Sequence, residues 1–168
     1  LFVSSSRPIR DLEGFAHPRT GVHTYANRGL AGIDGNISTA LGVAYGHKAT
    51  IAILGDLSFL HDLTGLIKKE EINCRFIVIN NDGGGIFSTL PQRGVNGFET
   101  VFGTPHGLNP AAIAQAMGVQ AKQITSLKEL VAEVKAPISG VSVVVCDVPD
   151  RESNADTLKR VVEDLSSI

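Results

Sequence analysis

The chain has 168 residues, and its 15 lysines and arginines nearly balance its 17 aspartates and glutamates, which gives a formal net charge of −2 at pH 7. This balance offers no electrostatic basis for binding nucleic acid or an anionic membrane. No apolar run has the length of a membrane span, and we expect a cytoplasmic protein. The length suits one domain with a single hydrophobic core.

Short apolar runs alternate with amphipathic segments along the chain, which is the pattern of βαβ units around a parallel sheet. We predict strands near residues 1–4, 22–26, 50–54, 75–80, 119–124 and 141–147. We predict helices near residues 8–15, 34–46, 57–70, 110–117, 126–135 and 153–166. The predicted fold class is therefore α/β, a three-layer domain with a central parallel sheet flanked by helices.

Three of these helices carry start signals. Asp56 is a candidate N-cap for the third helix, and Asn109 precedes a proline suited to the first helical position. Ser126 and Glu129 have the spacing of a capping box. The two cysteines, Cys74 and Cys146, fall in predicted strands without metal-ligand spacing, so we expect buried thiols.

Polar and glycine-rich motifs follow two of the predicted strands. Asp56 comes directly after the strand at 50–54, and Asn81 opens the glycine run that follows the strand at 75–80. Ligands bind at the carboxyl edge of open parallel sheets. A carboxylate, an amide oxygen and backbone that can approach a phosphate suit Mg²⁺ holding a diphosphate, since Mg²⁺ takes about six oxygen ligands, several of them from phosphate and water.

These motifs resemble a known family. The resemblance rests on Asn27–Gly35 (NRGLAGIDG), Gly55–Asp62 (GDLSFLHD), Asn80–Pro91 (NNDGGGIFSTLP) and Phe102–Gly107 (FGTPHG). Together they are similar to the 2-succinyl-5-enolpyruvyl-6-hydroxy-3-cyclohexene-1-carboxylate synthases of menaquinone biosynthesis, which are thiamine diphosphate enzymes. Leu57 replaces the glycine of the wider superfamily, as expected for this branch. The similarity covers most of residues 1–110.

The resemblance implies an activity. Family members decarboxylate 2-oxoglutarate on thiamine diphosphate with Mg²⁺ (or Mn²⁺) and add the succinyl carbanion equivalent to isochorismate. It implies a homodimer or homotetramer whose activating glutamate comes from an N-terminal domain of the partner subunit. We expect residues 1–168 to be the C-terminal, diphosphate-binding domain, with the upstream domains missing and no catalytic residue of its own.

The resemblance also assigns roles to individual positions. The metal ligands would be Asp56, Asn81 and the carbonyl of Gly83. The cofactor-binding residues would be Ser6, Ile33, Gly55, Ser58, Phe59, Ile86 and Phe87. Ser58 would donate a hydrogen bond to a phosphate oxygen, and the amides of Ile86 and Phe87 would act similarly. The substrate-binding residues would be Arg10, Arg28 and Leu90, with the two guanidinium groups gripping substrate carboxylates.

Several of these residues also have ordinary structural explanations. Ile33, the expected apolar wedge that bends the cofactor, could be a core residue. Arg10 stands beside Asp11, and Arg28 lies in a turn where surface arginines are common. Residues 82–109 form a long glycine-rich segment that we expect to be functional, and mobile without ligand.

Two other classes of protein remain open. One is another thiamine diphosphate enzyme, of the decarboxylase or acetolactate synthase kind, although Leu57 and the run from Gly83 to Phe87 weigh against it. The other is a non-catalytic phosphate-binding module that kept the fold. Loss of Asp56 or Asn81 would favour that class, but both are present.

Overall fold

The computed structural model describes residues 1–67 and 71–167. The strands are β1 (Phe2–Val3), β2 (Thr50–Gly55), β3 (Cys74–Asn80), β4 (Gln120–Ile124) and β5 (Val141–Asp147). The α-helices are α1 (Arg7–Phe15), α2 (Asn36–Tyr45), α3 (Asp56–Leu60), α4 (Pro110–Ala116), α5 (Leu127–Lys135) and α6 (Arg151–Ser166). Short 3₁₀ turns cover Leu63–Leu66 and Gly85–Thr89, and a π-helical turn covers Glu99–Gly103.

The chain divides into two compact units. Unit 1 comprises Leu1–Asn80 and Asn109–Asp147, and unit 2 comprises Asn81–Leu108 and Val148–Ile168. Unit 1 holds the five-stranded sheet, whose strand order is β1-β2-β3-β5-β4 and whose pairings are all parallel. The predicted α/β class with a parallel sheet is confirmed.

Both faces of the sheet are apolar and covered, as the alternation of side chains along a strand requires. On one face, side chains such as Phe76 and Val78 pack with α2, α3 and α4 in the larger core. On the other face, the neighbouring positions Ile77 and Ile79 pack near Leu130 of α5. The described residues of unit 1 therefore form three layers.

Two sequence predictions of unit 1 differ from the structure. Residues 22–26 are not a strand: the pairing there is a single parallel bridge between Phe2 and Tyr25. The predicted helix at 57–70 is interrupted after Leu60, and its last residues, 68–70, lie outside the described chain. The interruption has a tertiary cause, since Asp62 bonds to Ser38 of α2 and Gly65 packs so closely on Ser38 that a Cβ would lie 2.7 Å from its hydroxyl oxygen.

Candidate functional site

The candidate metal-binding carboxylate lies at the carboxyl edge of the sheet. Asp56 is only 2% exposed and is the first residue of α3, directly after β2. Its Oδ1 accepts a hydrogen bond from the N–H of Leu57 at 2.7 Å. The prediction that Asp56 is the N-cap was wrong, because Gly55 occupies the cap position and the carboxylate bonds to the adjacent amide.

The two motif loops begin side by side. In the register of β2 with β3, Gly55 pairs with Ile79, and in that of β3 with β5, Asn80 pairs with Asp147. The side-chain amide of Asn80 donates to Asp147 at 2.8 Å. Asp56 follows the first of these strands and Asn81 follows the second, and the two strands end within one residue of each other in the register.

The hydroxyl of Ser58 has a hydrogen-bond acceptor within unit 1. Its hydroxyl donates a hydrogen bond to the carbonyl oxygen of Ile33 at 2.9 Å. A hydroxyl has one proton, so its predicted donation to a phosphate requires that bond to break. The contact brings two predicted cofactor residues together, because it ties the loop carrying Ile33 to the helix that begins with Asp56.

The environment of Ile33 argues against an ordinary core role. Within the described residues, its side chain is only half-buried and lies outside both apolar clusters. Phe59 behaves differently, since its side chain is fully buried in the larger core. A contact of Phe59 with a cofactor would therefore use its backbone, and that contact stays a prediction.

The N-terminal loop of unit 1 holds the predicted cofactor residue Ser6 at a φ of 73°, a conformation that non-glycine residues seldom adopt. The carbonyl oxygen of Ser6 accepts a hydrogen bond from the guanidinium of Arg10 at 2.8 Å. Asp11 pairs with Arg7, so the ordinary explanation of Arg10 as the partner of Asp11 does not apply. Arg10 and Arg28 are both exposed, and their role toward a substrate carboxylate stays a prediction.

Unit 2 contains the glycine run, and the backbone there is tightly packed. Gly83 has a φ of 131°, and an added Cβ would collide with the carbonyl oxygen of Gly103. A Cβ on Gly85 would likewise collide with the side-chain nitrogen Nδ2 of Asn81. The carbonyl of Gly83 accepts the N–H of Gly85 at 2.9 Å, and its second lone pair makes this bond compatible with metal coordination.

The rest of the segment at 82–109 is more ordered than a plain loop. Phe87 donates its N–H to Gly84 O at 3.0 Å inside a 3₁₀ turn, so its predicted use as a phosphate donor competes with that bond. Ile86 is half-buried in the same turn, and Leu90 is exposed just after it. The ring of Phe87 packs on that of Phe102, with centroids 5.3 Å apart.

Asp82, between the two candidate ligands of unit 2, has a positive φ of 58°. Its carboxylate accepts hydrogen bonds from the N–H groups of His106 at 3.0 Å and Gly107 at 2.8 Å. Partial desolvation alone would raise the pKa of Asp82, but these two hydrogen bonds and the charges of His106 and Arg151 together lower it. His106 thus contributes to the shape of the turn.

Further features of the described chain concern a cavity, metal-ligating groups and membrane-spanning helices. A cavity of about 600 Å³ opens on the second face of the sheet, lined by apolar side chains such as Ile53 and Ile79. The described residues contain no group of three or more His, Cys, Asp and Glu side chains arranged for a metal ion. Nor does the described chain contain a helix with the length and hydropathy to cross a bilayer.

This combination of a parallel sheet and two motif loops at its carboxyl edge defines a class of protein. The chain belongs to the thiamine pyrophosphate enzyme family. Its residues 11–148 match the C-terminal TPP binding domain of that family. Thiamine pyrophosphate and thiamine diphosphate are the same molecule.

Two of the similar curated proteins carry the same name. The chain is 47% identical over 127 residues to the 2-succinyl-5-enolpyruvyl-6-hydroxy-3-cyclohexene-1-carboxylate synthase of Thermobifida fusca, covering 71% of this chain and 23% of the relative. It is 39% identical over 180 residues to the synthase of Paenarthrobacter aurescens, covering 99% of this chain and 32% of the relative. The chain thus spans about a quarter to a third of the length of these relatives.

Solved structures show the same fold at lower identity. Benzoylformate decarboxylase from Polynucleobacter necessarius aligns with a TM-score of 0.69 and 21% identity, over 89% of this chain and 30% of that one. A putative thiamin diphosphate-dependent enzyme from Mycobacterium smegmatis aligns with a TM-score of 0.67 and 22% identity, over 89% of this chain and 28% of that one. At this identity the likeness concerns the fold alone.

The sequence patterns did not single out two charged residues that make important contacts in the structure. Asp62 bonds to Ser38, which is 24 positions away, and Arg151 bonds to Asp82, which is 69 positions away. Asp62 ends the motif Gly55–Asp62, but neither its bond to Ser38 nor that of Arg151 to Asp82 has a local sequence signal. Each acts through contacts that only the folded chain creates.

Proposed function

We propose that this chain is the cofactor-binding part of a 2-succinyl-5-enolpyruvyl-6-hydroxy-3-cyclohexene-1-carboxylate synthase. One observation carries the proposal: the buried carboxylate of Asp56 directly follows β2, and Asn81 directly follows the adjacent strand β3, which ends one residue further along in the register. The identity to the synthases over nearly the whole chain supports the choice of reaction.

The donor set fits Mg²⁺ or Mn²⁺ with a diphosphate. Asp56, Asn81 and the Gly83 carbonyl would provide hard oxygen ligands, and the diphosphate and water would provide the others. The close packing of Gly83 and Gly85 supports this role, because it holds in place the backbone that carries the Gly83 carbonyl and the side chain of Asn81. Gly55, at the cap position before Asp56, contributes no side chain at the same edge.

When bound, thiamine diphosphate would supply the nucleophile and the electron sink for decarboxylating a 2-oxo acid. The chain's own residues would orient it. Ser58 holds the carbonyl of Ile33, so the apolar side chain that would press on the cofactor is fixed to the helix that begins with Asp56. Ser6 would border the same cofactor from the N-terminal loop.

Substrate recognition would fall to the exposed arginines. Both 2-oxoglutarate and isochorismate carry carboxylates, and a guanidinium can donate two parallel hydrogen bonds to a carboxylate. We assign this role to Arg10 and Arg28, with Leu90 as an apolar contact. The activating glutamate would come from an upstream domain of a partner subunit. The functional unit would then be a homo-oligomer, and this chain would hold only part of a site. We place this homo-oligomer in the cytoplasm.

The experiment is an activity assay on the full-length protein with thiamine diphosphate and Mg²⁺. We expect consumption of 2-oxoglutarate, with the succinyl adduct formed when isochorismate is present. Turnover of pyruvate or benzoylformate in place of 2-oxoglutarate would favour a decarboxylase or acetolactate synthase-like enzyme. Cofactor binding without turnover of any 2-oxo acid would favour a non-catalytic module.

A further inference from the structure

Arg151, the first residue of α6, joins three parts of unit 2. Its guanidinium donates hydrogen bonds to the carbonyl of Asp82 and, at 3.1 Å, to the carbonyl of Gly103. It also forms an ion pair with Glu99. The Arg151 side chain is only 12% exposed, whereas that of Glu99 is 56% exposed, so the guanidinium is largely buried and the carboxylate of the ion pair is not.

The backbone that Arg151 holds is the segment with the candidate metal ligands. Asp82 and Gly83 both have positive φ values, 58° and 131°. An added Cβ on Gly83 would lie 2.6 Å from Nη1 of Arg151, so the guanidinium lies directly against this residue. The N–H of Gly84 donates to Gly103 O at 2.8 Å, and the same oxygen accepts from Arg151.

These contacts determine the direction of one peptide group. Arg151 fixes the carbonyl of Asp82, and the packing of Gly83 against Gly103 prevents the next residue from rotating freely. The orientation of the Gly83 carbonyl, and the position of Asn81 one residue before Asp82, follow from the same constraint. A shift of the Asp82 carbonyl would therefore move both candidate ligands in unit 2.

We propose that Arg151 is a positioning residue for the metal ion: it holds the Asn81–Gly83 segment in the conformation that binds Mg²⁺ before the cofactor arrives. This inference rests on the proposed function of the site. The residue type is suited to the task, because a planar guanidinium with five donors can bond two carbonyls and a carboxylate together, whereas a lysine ammonium is a compact point charge.

The test compares arginines of the same unit in the full-length protein. Arg93 is the matched control, since it also pairs with α6, through Glu152 and Asp156. Mg²⁺ is titrated at fixed thiamine diphosphate by calorimetry for wild type, Arg151→Ala, Arg151→Lys and Arg93→Ala. Amide hydrogen exchange of residues 82–85 is measured on each protein without cofactor.

We expect Arg151→Ala to weaken Mg²⁺ affinity by about 10- to 100-fold, the range for losing hydrogen bonds to a charged group. Exchange at Gly84 and Gly85 should accelerate in the same variant. Arg151→Lys should fall between wild type and alanine, and Arg93→Ala should stay within about two-fold of wild type. Affinity and exchange like those of wild type in Arg151→Ala would overturn the inference.

A second variant keeps the test decisive if Arg151→Ala does not fold. Glu99→Gln removes the ion pair but leaves both carbonyl bonds, so it should bind Mg²⁺ within about three-fold of wild type. Equal losses in Glu99→Gln and Arg151→Lys would contradict positioning through the carbonyls. Failure of the wild-type protein to bind cofactor and Mg²⁺ at all would instead contradict the proposed function.

Discussion

The carboxylate of Asp62 accepts two hydrogen bonds from Ser38, one from its backbone N–H at 2.7 Å and one from its hydroxyl at 3.1 Å. Ser38 lies in the first turn of α2, immediately after the glycine-rich loop that carries Ile33. Asp62 stands at the interruption between α3 and the following 3₁₀ turn. The acid therefore anchors the start of α2 to the segment that follows Asp56.

From this contact we predict that Asp62→Ala lowers the free energy of unfolding by about 1.5–3 kcal/mol, because a backbone N–H loses a charged acceptor. Ser38→Ala, which loses only the hydroxyl bond, should cost about 0.5–1 kcal/mol. Urea unfolding of both variants measures the difference. Equal destabilisation would show that the backbone contact contributes nothing.

The packing of Gly83 gives a second prediction. Gly83→Ala combines a strained φ with a collision against the carbonyl of Gly103, so we expect destabilisation of about 3 kcal/mol or more. Gly94→Ala is the matched control: Gly94 also has a positive φ, of 80°, but no atom within 4 Å of an added Cβ. It should cost only about 1–2 kcal/mol. Similar unfolding midpoints for the two variants would argue against crowding at Gly83.

The thiols provide a prediction about pH. Burial raises the pKa of Cys74 to about 12, and burial with the nearby charge of Asp147 raises that of Cys146 to about 11. The folded protein should therefore resist alkylation at about pH 8, while both thiols should react in urea.

The two raised thiol pKa values also determine how the stability of the folded state changes with pH. The folded state keeps the thiol protons that the unfolded chain releases near its ordinary pKa of about 8.5. The stabilisation is present below that pKa and is lost as pH rises toward 11–12. Rapid alkylation of the native protein, or stability that increases over this window, would contradict the assignment.

Local signals predicted much of the fold. The strands β2, β3 and β5 follow from apolar, β-branched runs, and buried parallel strands have that composition. Two helix starts were also confirmed, since Asn109 accepts from the N–H of Ala112 at 3.0 Å and Ser126 from that of Glu129 at 3.3 Å. These features depend on residues within a few positions of one another.

Features created by distant contacts were not predictable. The interruption of the helix after Leu60 depends on Ser38, and the shape of the Asp82–Gly84 turn depends on Arg151. Neither contact has a local sequence signature. The expected hydrogen bond from Ser58 to a phosphate stays a prediction, since in the structure its proton is donated to Ile33. The expected mobility of residues 82–109 without ligand stays a prediction.

The measurement that tests the central claim most directly is calorimetric titration of thiamine diphosphate and Mg²⁺ into the full-length protein and its Asp56→Ala variant. Asp147→Asn is the control, since Asp147 is also an acid at the carboxyl edge of the sheet, and its carboxylate accepts from Asn80 at 2.8 Å. We predict a loss of cofactor affinity of about 100-fold or more in Asp56→Ala, with Asp147→Asn within about three-fold of wild type. Unchanged affinity in Asp56→Ala would contradict the account.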